Sequence, residues 1–147
     1  MTTLKPDQKV ALVTGAGRNI GRGIAHTLAK QGFALAINVR ASVSEGQAVV
    51  DELLALGTPA LLCVADVTDR QRVQGMMDLI QSTWGRLDVV VNNAAIRREA
   101  PIEQVSVEDW RNTLSVVLDG AFYCSQAALP MLRQSPMGAV INIGGLT

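Results

Sequence analysis

Aromatic residues make up only 3% of this 147-residue sequence, and cysteine occurs only twice. Two cysteines cannot form the several disulfides that stabilise small secreted domains with little hydrophobic core. Their number alone would permit one bridge between Cys63 and Cys124, but these residues lie far apart in different predicted elements, so we expect two reduced, buried thiols. With 48% apolar residues, the chain can form the core of about one domain.

The sequence has no excess of charge of either sign, because 13 basic residues balance 13 acidic ones. A nucleic-acid or anionic-membrane partner is therefore not indicated. Arg97 and Arg98 form the only basic pair, which is typical of a solvated surface segment. No group of residues has the spacing of a metal site. The single histidine, His26, falls within a predicted helix, where we expect a packed or exposed side chain.

Long apolar runs are also lacking. The first nine residues, MTTLKPDQK, are polar, and no run approaches the ~20 apolar residues of a membrane-spanning helix. We therefore expect a cytoplasmic protein without a secretory leader or a membrane partner.

The sequence does contain a regular alternation of short apolar runs and amphipathic segments. The apolar runs predict five strands, and apolar residues at helical spacing predict a helix after each of the first four. The predicted strands are 9–14, 34–39, 60–65, 87–92 and 140–143, and the predicted helices are 20–31, 44–56, 69–84 and a long one from Ser106 to about Arg133, with Pro130 kinking or tightening its last turn.

This alternation, with short connecting loops, predicts an α/β fold of three layers in which helices cover both faces of a parallel sheet. Ligands of such sheets bind beyond the carboxyl ends of the strands, near the point where the strand order reverses. We therefore expect the functional site in the loops that follow Val13, Val39, Ala65, Val91 and Ile143.

The first of these loops, TGAGRNIG at residues 14–21, is rich in glycine and leads from a strand into a helix. Small residues at a helix amino terminus let a phosphate group approach the backbone N–H groups. The common GxGxxG fingerprint is not met, because Ile20 stands where it needs glycine. A glycine-rich turn alone is therefore weak evidence of nucleotide binding.

Five segments together resemble the short-chain dehydrogenase/reductase family. TGAGRNIGRGIA is similar to that family's TGxxxGxG segment, and it is followed in the family's order by Asp66-Val67, by NNAA at 92–95, by Trp110 with LDGAF, and by VINI at 140–143. The resemblance implies a doubly wound, Rossmann-type sheet and a nicotinamide cofactor. It also implies that residues 1–147 are a single NADP-binding domain, truncated after the fifth strand, within a longer domain of about 250 residues.

The family's second glycine falls on Asn19 in this register. Asn tolerates a left-handed backbone better than other residues with a side chain, so we expect the turn to survive. A rival register, Gly17-x-x-x-Gly21-x-Gly23, restores all three glycines but places Ala16 where the family has Thr. We prefer the first register because Thr14-Gly15 then ends the strand.

The residues near the second strand favour NADP(H) over NAD(H). An NAD enzyme usually has a carboxylate there for the ribose hydroxyls, whereas this chain has Asn38-Val39-Arg40 and no carboxylate before Glu45. Arg18 and Arg40 would hold a 2′-phosphate. The resemblance also places Asp66 and Val67 at the adenine, and Asn93 and Ala94 at the ribose, with Ala95 replacing a glycine. The predicted cofactor site is Gly15, Gly17, Arg18, Asn19, Ile20, Gly21, Asn38, Arg40, Asp66, Val67, Asn93, Ala94 and Ala95.

The resemblance leaves the catalytic residues unassigned. The family's Tyr-x-x-x-Lys pair is absent, because the only tyrosine, Tyr123, is followed four residues later by Ala127. We expect that pair beyond Thr147. The family's helix Asn falls on Val117, its Ser falls on Gly145, and Thr147 is a weak substitute. Asn112 lies five residues too early, on a different helix face.

Two functional hypotheses follow. In the first, the protein is an NADP(H)-dependent oxidoreductase acting on an alcohol or carbonyl compound, with 3-oxoacyl reductases as the best guess. In the second, it is a catalytically impaired member that binds nucleotide, and the helix from Ser106 to Arg133 forms a dimer or tetramer interface. A methyltransferase-like module is a poorer alternative, because it would leave Asn92-Asn93-Ala94 unexplained. We expect residues 1–147 alone to be inactive.

Overall fold

The computed structural model describes residues 3–144. The strands in this part of the chain form a single five-stranded parallel sheet. The strand order is β3-β2-β1-β4-β5, so the direction of winding reverses between β1 and β4. The strands are β1 (Val10–Val13), β2 (Ala34–Val39), β3 (Ala60–Val64), β4 (Val89–Asn92) and β5 (Ala139–Asn142). The predicted doubly wound parallel sheet is confirmed.

Each of the first four strands is followed by helical structure that returns the chain to the amino edge of the sheet. The helices are α1 (Asn19–Lys30), α2 (Val43–Ala55), α3 (Arg70–Trp84), α4 (Val107–Leu114) and α5 (Gly120–Leu132), with one 3₁₀ turn at Ile102–Gln104. Their bounds differ from the predicted ones by at most one residue, apart from the division of the last helix.

Alternate residues of the central strand face opposite layers, as a sheet covered on both sides requires. Val10 and Leu12 of β1 pack in a cluster with residues of α3 and α5, whereas Ala11 and Val13 pack in a second cluster with residues of α1 and α2. The three predicted layers are therefore present.

Both cysteines lie in the first of these clusters as free thiols, as expected. Burial raises the pKa of each thiol to about 12, so neither forms a reactive thiolate near neutral pH.

The predicted long helix is divided by a wide π turn at Ser115–Asp119, which joins α4 to α5. The hydroxyls of Thr113 and Ser115 donate hydrogen bonds to the carbonyl oxygens of Asp109 and Asn112, at 2.9 and 2.8 Å. Such side-chain bonds compete with the regular backbone ladder and favour local bending. After the turn, α5 continues through Pro130 and ends at Leu132, close to the predicted end.

Within residues 3–144, no helix combines the length and the apolar character needed to cross a bilayer.

Candidate cofactor and active site

The loop after β1 is bonded directly to the loop after β4, across the point where the winding reverses. Thr14 is buried, and its hydroxyl oxygen accepts hydrogen bonds from the backbone N–H groups of Asn93 and Ala94, at 3.0 and 2.9 Å. The hydroxyl itself donates to the carbonyl oxygen of Val91. Thr14 was not among the predicted site residues, although it begins the TGxxxGxG-like segment and is a polar residue at the end of an apolar strand.

The side chain of Asn93 holds the glycine loop through two hydrogen bonds. Its side-chain Nδ2 donates to the carbonyl oxygens of Thr14 and Gly15, at 3.0 and 3.2 Å. The predicted contact of Asn93 with a ribose therefore involves its Oδ1 or its backbone, and it remains a prediction.

The close packing of this loop explains two of its glycines. Gly15 has a φ of +61°, and a Cβ there would lie 2.9 Å from the Cα of Ala94. A Cβ on Gly21 would lie 2.6 Å from Nδ2 of Asn93 and would also collide with the carbonyl oxygen of Gly15. Gly23, in contrast, faces open space. The first register, which does not need Gly23, is the one that the packing favours.

The start of α1 is arranged to receive an anion. Asn19 has a φ of +48°, which confirms that it takes the left-handed backbone expected of it. Arg18 precedes the helix in an extended conformation, no side chain of the described residues caps this end, and the first turn holds no acidic residue. The N–H groups of the first turn, next to the exposed Ile20, therefore remain available for phosphate oxygens.

Asn38, predicted to contact the cofactor, holds the strand ends together. Its side chain is buried, and its Nδ2 donates to the carbonyl oxygens of Cys63 and Ala65, at 3.1 and 3.0 Å. Its Oδ1 accepts from the N–H of Gly15 at 3.4 Å. Asn38 thus joins the ends of β2 and β3 to the glycine loop and acts on any ligand through that loop.

The two arginines assigned to a 2′-phosphate are both exposed at this edge of the sheet. Arg18 lies 3.9 Å from the carboxylate of Glu45 in the first turn of α2, a loose pair of exposed groups. A Cβ on Gly17 would lie 3.0 Å from Cγ1 of Val39, which places the glycine loop against the end of β2, immediately before Arg40. The loop after β1 and the loop after β2 therefore lie side by side. Their two exposed arginines, Arg18 and Arg40, form what we call the basic rim.

Asp66 follows β3 at the same edge and is held ionised. Burial raises the pKa of its carboxyl, but two hydrogen bonds from Thr68 and the positive charges of Arg40 and Arg72 outweigh burial, so the pKa lies below its ordinary value. The backbone N–H and the hydroxyl of Thr68 both donate to Oδ1, at 2.9 and 2.8 Å. The neighbouring Val67 is buried against Gly120 of α5. A Cβ on Gly120 would lie 2.6 Å from Cγ2 of Val67.

A cleft of about 950 Å³ opens between the ends of β4 and β5 and the α4–α5 segment. Ala94 and Ala95 line one side, and Val117, in the π turn, lines the other. Asn112 is not among the described lining residues, as its spacing indicated. The lining comprises Thr14, Val67, Asn92, Ala94, Ala95, Ile96, Arg97, Arg98, Thr113, Val116, Val117, Leu118, Gly120, Ala121, Phe122, Ser125, Asn142, Ile143 and Gly144.

A polar cluster, missed by the sequence analysis, lies among these lining residues. Nδ2 of Asn92 donates to the hydroxyl oxygen of Ser125 at 3.1 Å and to Oδ1 of Asn142 at 2.9 Å. This cluster ties β4, β5 and α5 together at the cleft. No pattern in the sequence predicts it, since the three residues come from three distant segments.

The remaining residues considered for catalysis are Gly145, Thr147 and Tyr123. Gly145 and Thr147 fall outside the described residues. Tyr123 lies beneath the guanidinium of Arg70, 5.4 Å from the ring centroid, and packs against the core between α3 and α5. It is not a lining residue of the cleft, in agreement with its poor match to the family's tyrosine.

The family model for short chain dehydrogenases matches residues 9–147. The chain belongs to this family. Its relatives include the 3-oxoacyl-(acyl-carrier-protein) reductase FabG of Staphylococcus aureus, which is 38% identical over 138 residues, 94% of this chain and 56% of the relative. The chain thus spans about half the length of the curated relatives that it matches.

Solved structures of the family show the same fold. A short chain dehydrogenase from Burkholderia cenocepacia J2315 in complex with NADP is 39% identical, with a TM-score of 0.80 over 84% of this chain and 51% of the other. A gluconate 5-dehydrogenase from the same organism, in complex with NADP and tartrate, is 34% identical, with a TM-score of 0.84 over 92% of this chain and 53% of the other.

Proposed function

We propose that this protein is an NADP(H)-dependent oxidoreductase that transfers a hydride between the cofactor and an alcohol or carbonyl compound. The observation that carries the proposal is the glycine loop, whose close packing excludes side chains and leaves the first turn of α1 uncapped beside the basic rim. The NADP complex of a relative that is 39% identical supports the choice of cofactor. The FabG relatives support a 3-oxoacyl compound as the substrate.

The residues present fit a dinucleotide along the carboxyl edge of the sheet. The N–H groups at the start of α1 would hold the pyrophosphate, Asp66 and Val67 the adenine, and Arg18 and Arg40 a 2′-phosphate. The bound cofactor would supply or accept the hydride. Asn93 and Ala94 would line the ribose and Ala95 the nicotinamide side, in a cleft to which Val117 and Phe122 contribute apolar side chains.

These 147 residues do not contain the family's Tyr-x-x-x-Lys pair. We propose that residues 1–147 bind cofactor but do not reduce a carbonyl by themselves, and that they form the amino-terminal part of a longer domain. The apolar Val117 at the family's Asn position favours a second candidate function, a nucleotide-binding member with impaired catalysis.

We also propose a cytoplasmic homo-oligomer that associates through the segment from Ser106 to Arg133. The support is that Val107 and Trp110 of this segment, which do not line the cleft, are both more than half exposed.

Cofactor choice is tested by titrating NADPH and NADH into the protein and following ligand fluorescence. We expect NADPH to bind more tightly, and the double variant R18S/R40S to lose about tenfold or more in NADPH affinity with little change for NADH, because charge-assisted hydrogen bonds contribute ~1.5–3 kcal/mol. The matched control is E45Q, which removes the carboxylate facing Arg18 and should leave NADPH binding equal or stronger. Equal, weak binding of both cofactors would refute the NADP(H) assignment.

The two candidate functions are separated by following NADPH absorbance with a panel of carbonyl compounds that includes a 3-oxoacyl thioester. Turnover supports the oxidoreductase. Tight NADPH binding without turnover, in a form of the protein that contains a Tyr-x-x-x-Lys pair, supports the impaired nucleotide-binding member.

A further inference from the structure

The charges around the cleft are unevenly distributed. Among the described residues that line it, Arg97 and Arg98 are the two charged ones, and none is acidic. Both follow β4 in the segment that leads to α4. Both side chains are exposed, as the sequence indicated, and the fold also places them on the wall of the candidate active site.

The two arginines have different surroundings. Arg98 pairs with Asp109, whose backbone N–H is bonded to the hydroxyl of Ser106 at the start of α4. Arg98 therefore fastens the loop after β4 to α4. Arg97 pairs with Glu99, two residues along the same loop, and both side chains are 75% exposed. Pairs of this kind contribute little free energy, so the guanidinium of Arg97 can exchange Glu99 for an anionic ligand at small cost.

Several other residues that line the cleft are apolar and exposed. Val117, Leu118 and Phe122 line the cleft, and their exposed fractions are 40%, 60% and 56%. Ile96, next to Arg97, adds a further exposed apolar side chain. The cleft therefore offers apolar side chains to the body of a ligand and a guanidinium to an anionic group.

We propose that Arg97 is a specificity-determining residue that selects substrates carrying a carboxylate or phosphate group on an apolar body. This inference rests on the proposed function in one respect, namely that the ligand carries the carbonyl group that is reduced. The preference for an anionic group depends on the residues of the cleft alone. Carboxylate and phosphate present the same chemistry to a guanidinium, and the two are distinguished by experiment.

The test measures binding of three eight-carbon probes by NMR line broadening or calorimetry: octanoate, octyl phosphate and octanol. The wild-type protein is expected to bind at least one anionic probe more tightly than octanol. R97Q should lower the affinity for that anion about fivefold, near the upper limit for an exposed ion pair, while octanol binding is unchanged. R97K should restore most of the loss, and R133Q, at an exposed arginine outside the cleft, should have no effect.

The probe whose binding R97Q weakens identifies the anionic group. Loss for octyl phosphate alone identifies a phosphate group as the anion, and loss for octanoate alone identifies a carboxylate. Equal affinities for all three probes, or anion binding that R97Q leaves unchanged, would overturn the proposal. Parallel NADPH titrations separate this result from the proposed function, because R97Q is expected to bind NADPH as the wild type does.

Discussion

At the scale of single residues, the hydroxyl of Thr14 determines how the loops after β1 and β4 meet. It accepts from two N–H groups, 79 and 80 residues along the chain, at the partly buried edge of the sheet. In T14V these two donors lose their acceptor, and an unsatisfied buried group costs ~1–3 kcal/mol. We expect chemical denaturation to show T14V destabilised by about that amount, with weaker NADPH binding. T14S keeps the hydroxyl and is the control. If T14V and T14S unfold at the same denaturant concentration, the hydroxyl does not have this role.

The glycines of α1 provide a matched pair of substitutions. G21A places a methyl group against Asn93 and the carbonyl of Gly15, so the phosphate loop has to shift. We expect a loss of NADPH affinity of at least tenfold and a lower free energy of unfolding. G23A adds its methyl group in open space within the same helix, and replacing a helical glycine by alanine is expected to stabilise the protein by ~0.5–1 kcal/mol. If the two variants behave alike, the close approach at Gly21 does not constrain the loop.

The residues of the site differ in how far the sequence could predict them. The left-handed backbone of Asn19 could be predicted, because the family resemblance places a glycine there and Asn is one of the few other residue types that adopt this conformation. The hydrogen bonds of Asn38 and Thr14 could not be predicted, because their partners come from other strands and depend on sheet order. The same holds for Arg97, which looks like any surface arginine until the loop after β4 is placed beside the cleft.

At the scale of elements, Asp88 links β1, β4 and the turn that follows α5. This side chain is fully buried and accepts hydrogen bonds from the N–H of Val10 at 2.8 Å, from the guanidinium of Arg86 at 2.8 and 3.0 Å, and from the hydroxyl of Ser135 at 2.7 Å. D88A leaves the buried Val10 N–H without an acceptor, and we expect a loss of ~1–3 kcal/mol in the free energy of unfolding. D88N retains one oxygen and should lose less. Equal stability of D88A and the wild type would contradict this assignment.

The same carboxylate should make stability depend on pH. Burial raises the pKa of Asp88, but the hydrogen bonds from Arg86, Ser135 and Val10 and the charge of Arg86 outweigh it, so the folded-state pKa lies below the ordinary value. A carboxyl with a lowered folded-state pKa adds stability above its unfolded-state pKa of about 3.9, and this stability is lost as the pH falls through the folded-state pKa. We therefore expect the stability difference between the wild type and D88N to be constant near neutral pH and to shrink below about pH 4. A difference that stays constant down to the acid transition would count against a lowered pKa.

The elements themselves were largely predictable, because each depends on a local pattern of apolar residues. β2 has its predicted bounds. All of its residues are buried, and all but Asn38 are apolar. The π turn at Ser115–Asp119 was not predictable from that pattern, because the apolar spacing passes through it unchanged. The turn places Val117 on the wall of the cleft, so the irregular part of the helix contributes to the candidate site.

At the scale of the whole molecule, the inner strands of the sheet are covered, whereas the edge strand β5 is not. Residues of β1, β2 and β4 are buried, whereas Val140 and Ile141 of β5 are each more than 40% exposed. Leu118 and Phe122 extend this exposed apolar surface on the neighbouring helical segment. An edge strand with unpaired backbone groups and apolar side chains is a template for association.

We therefore expect residues 1–147, prepared by themselves, to associate with increasing concentration. I141K places a charge on β5, and charged edge strands resist pairing, so this variant should remain monomeric to higher concentration. The control Q31K adds the same charge at an exposed position after α1, far from β5 in the strand order, and should associate as the wild type does. Sedimentation velocity over a range of concentrations measures all three proteins. A wild-type chain that stays monomeric throughout, or a Q31K variant that dissociates as readily as I141K, would show that the β5 edge does not drive association.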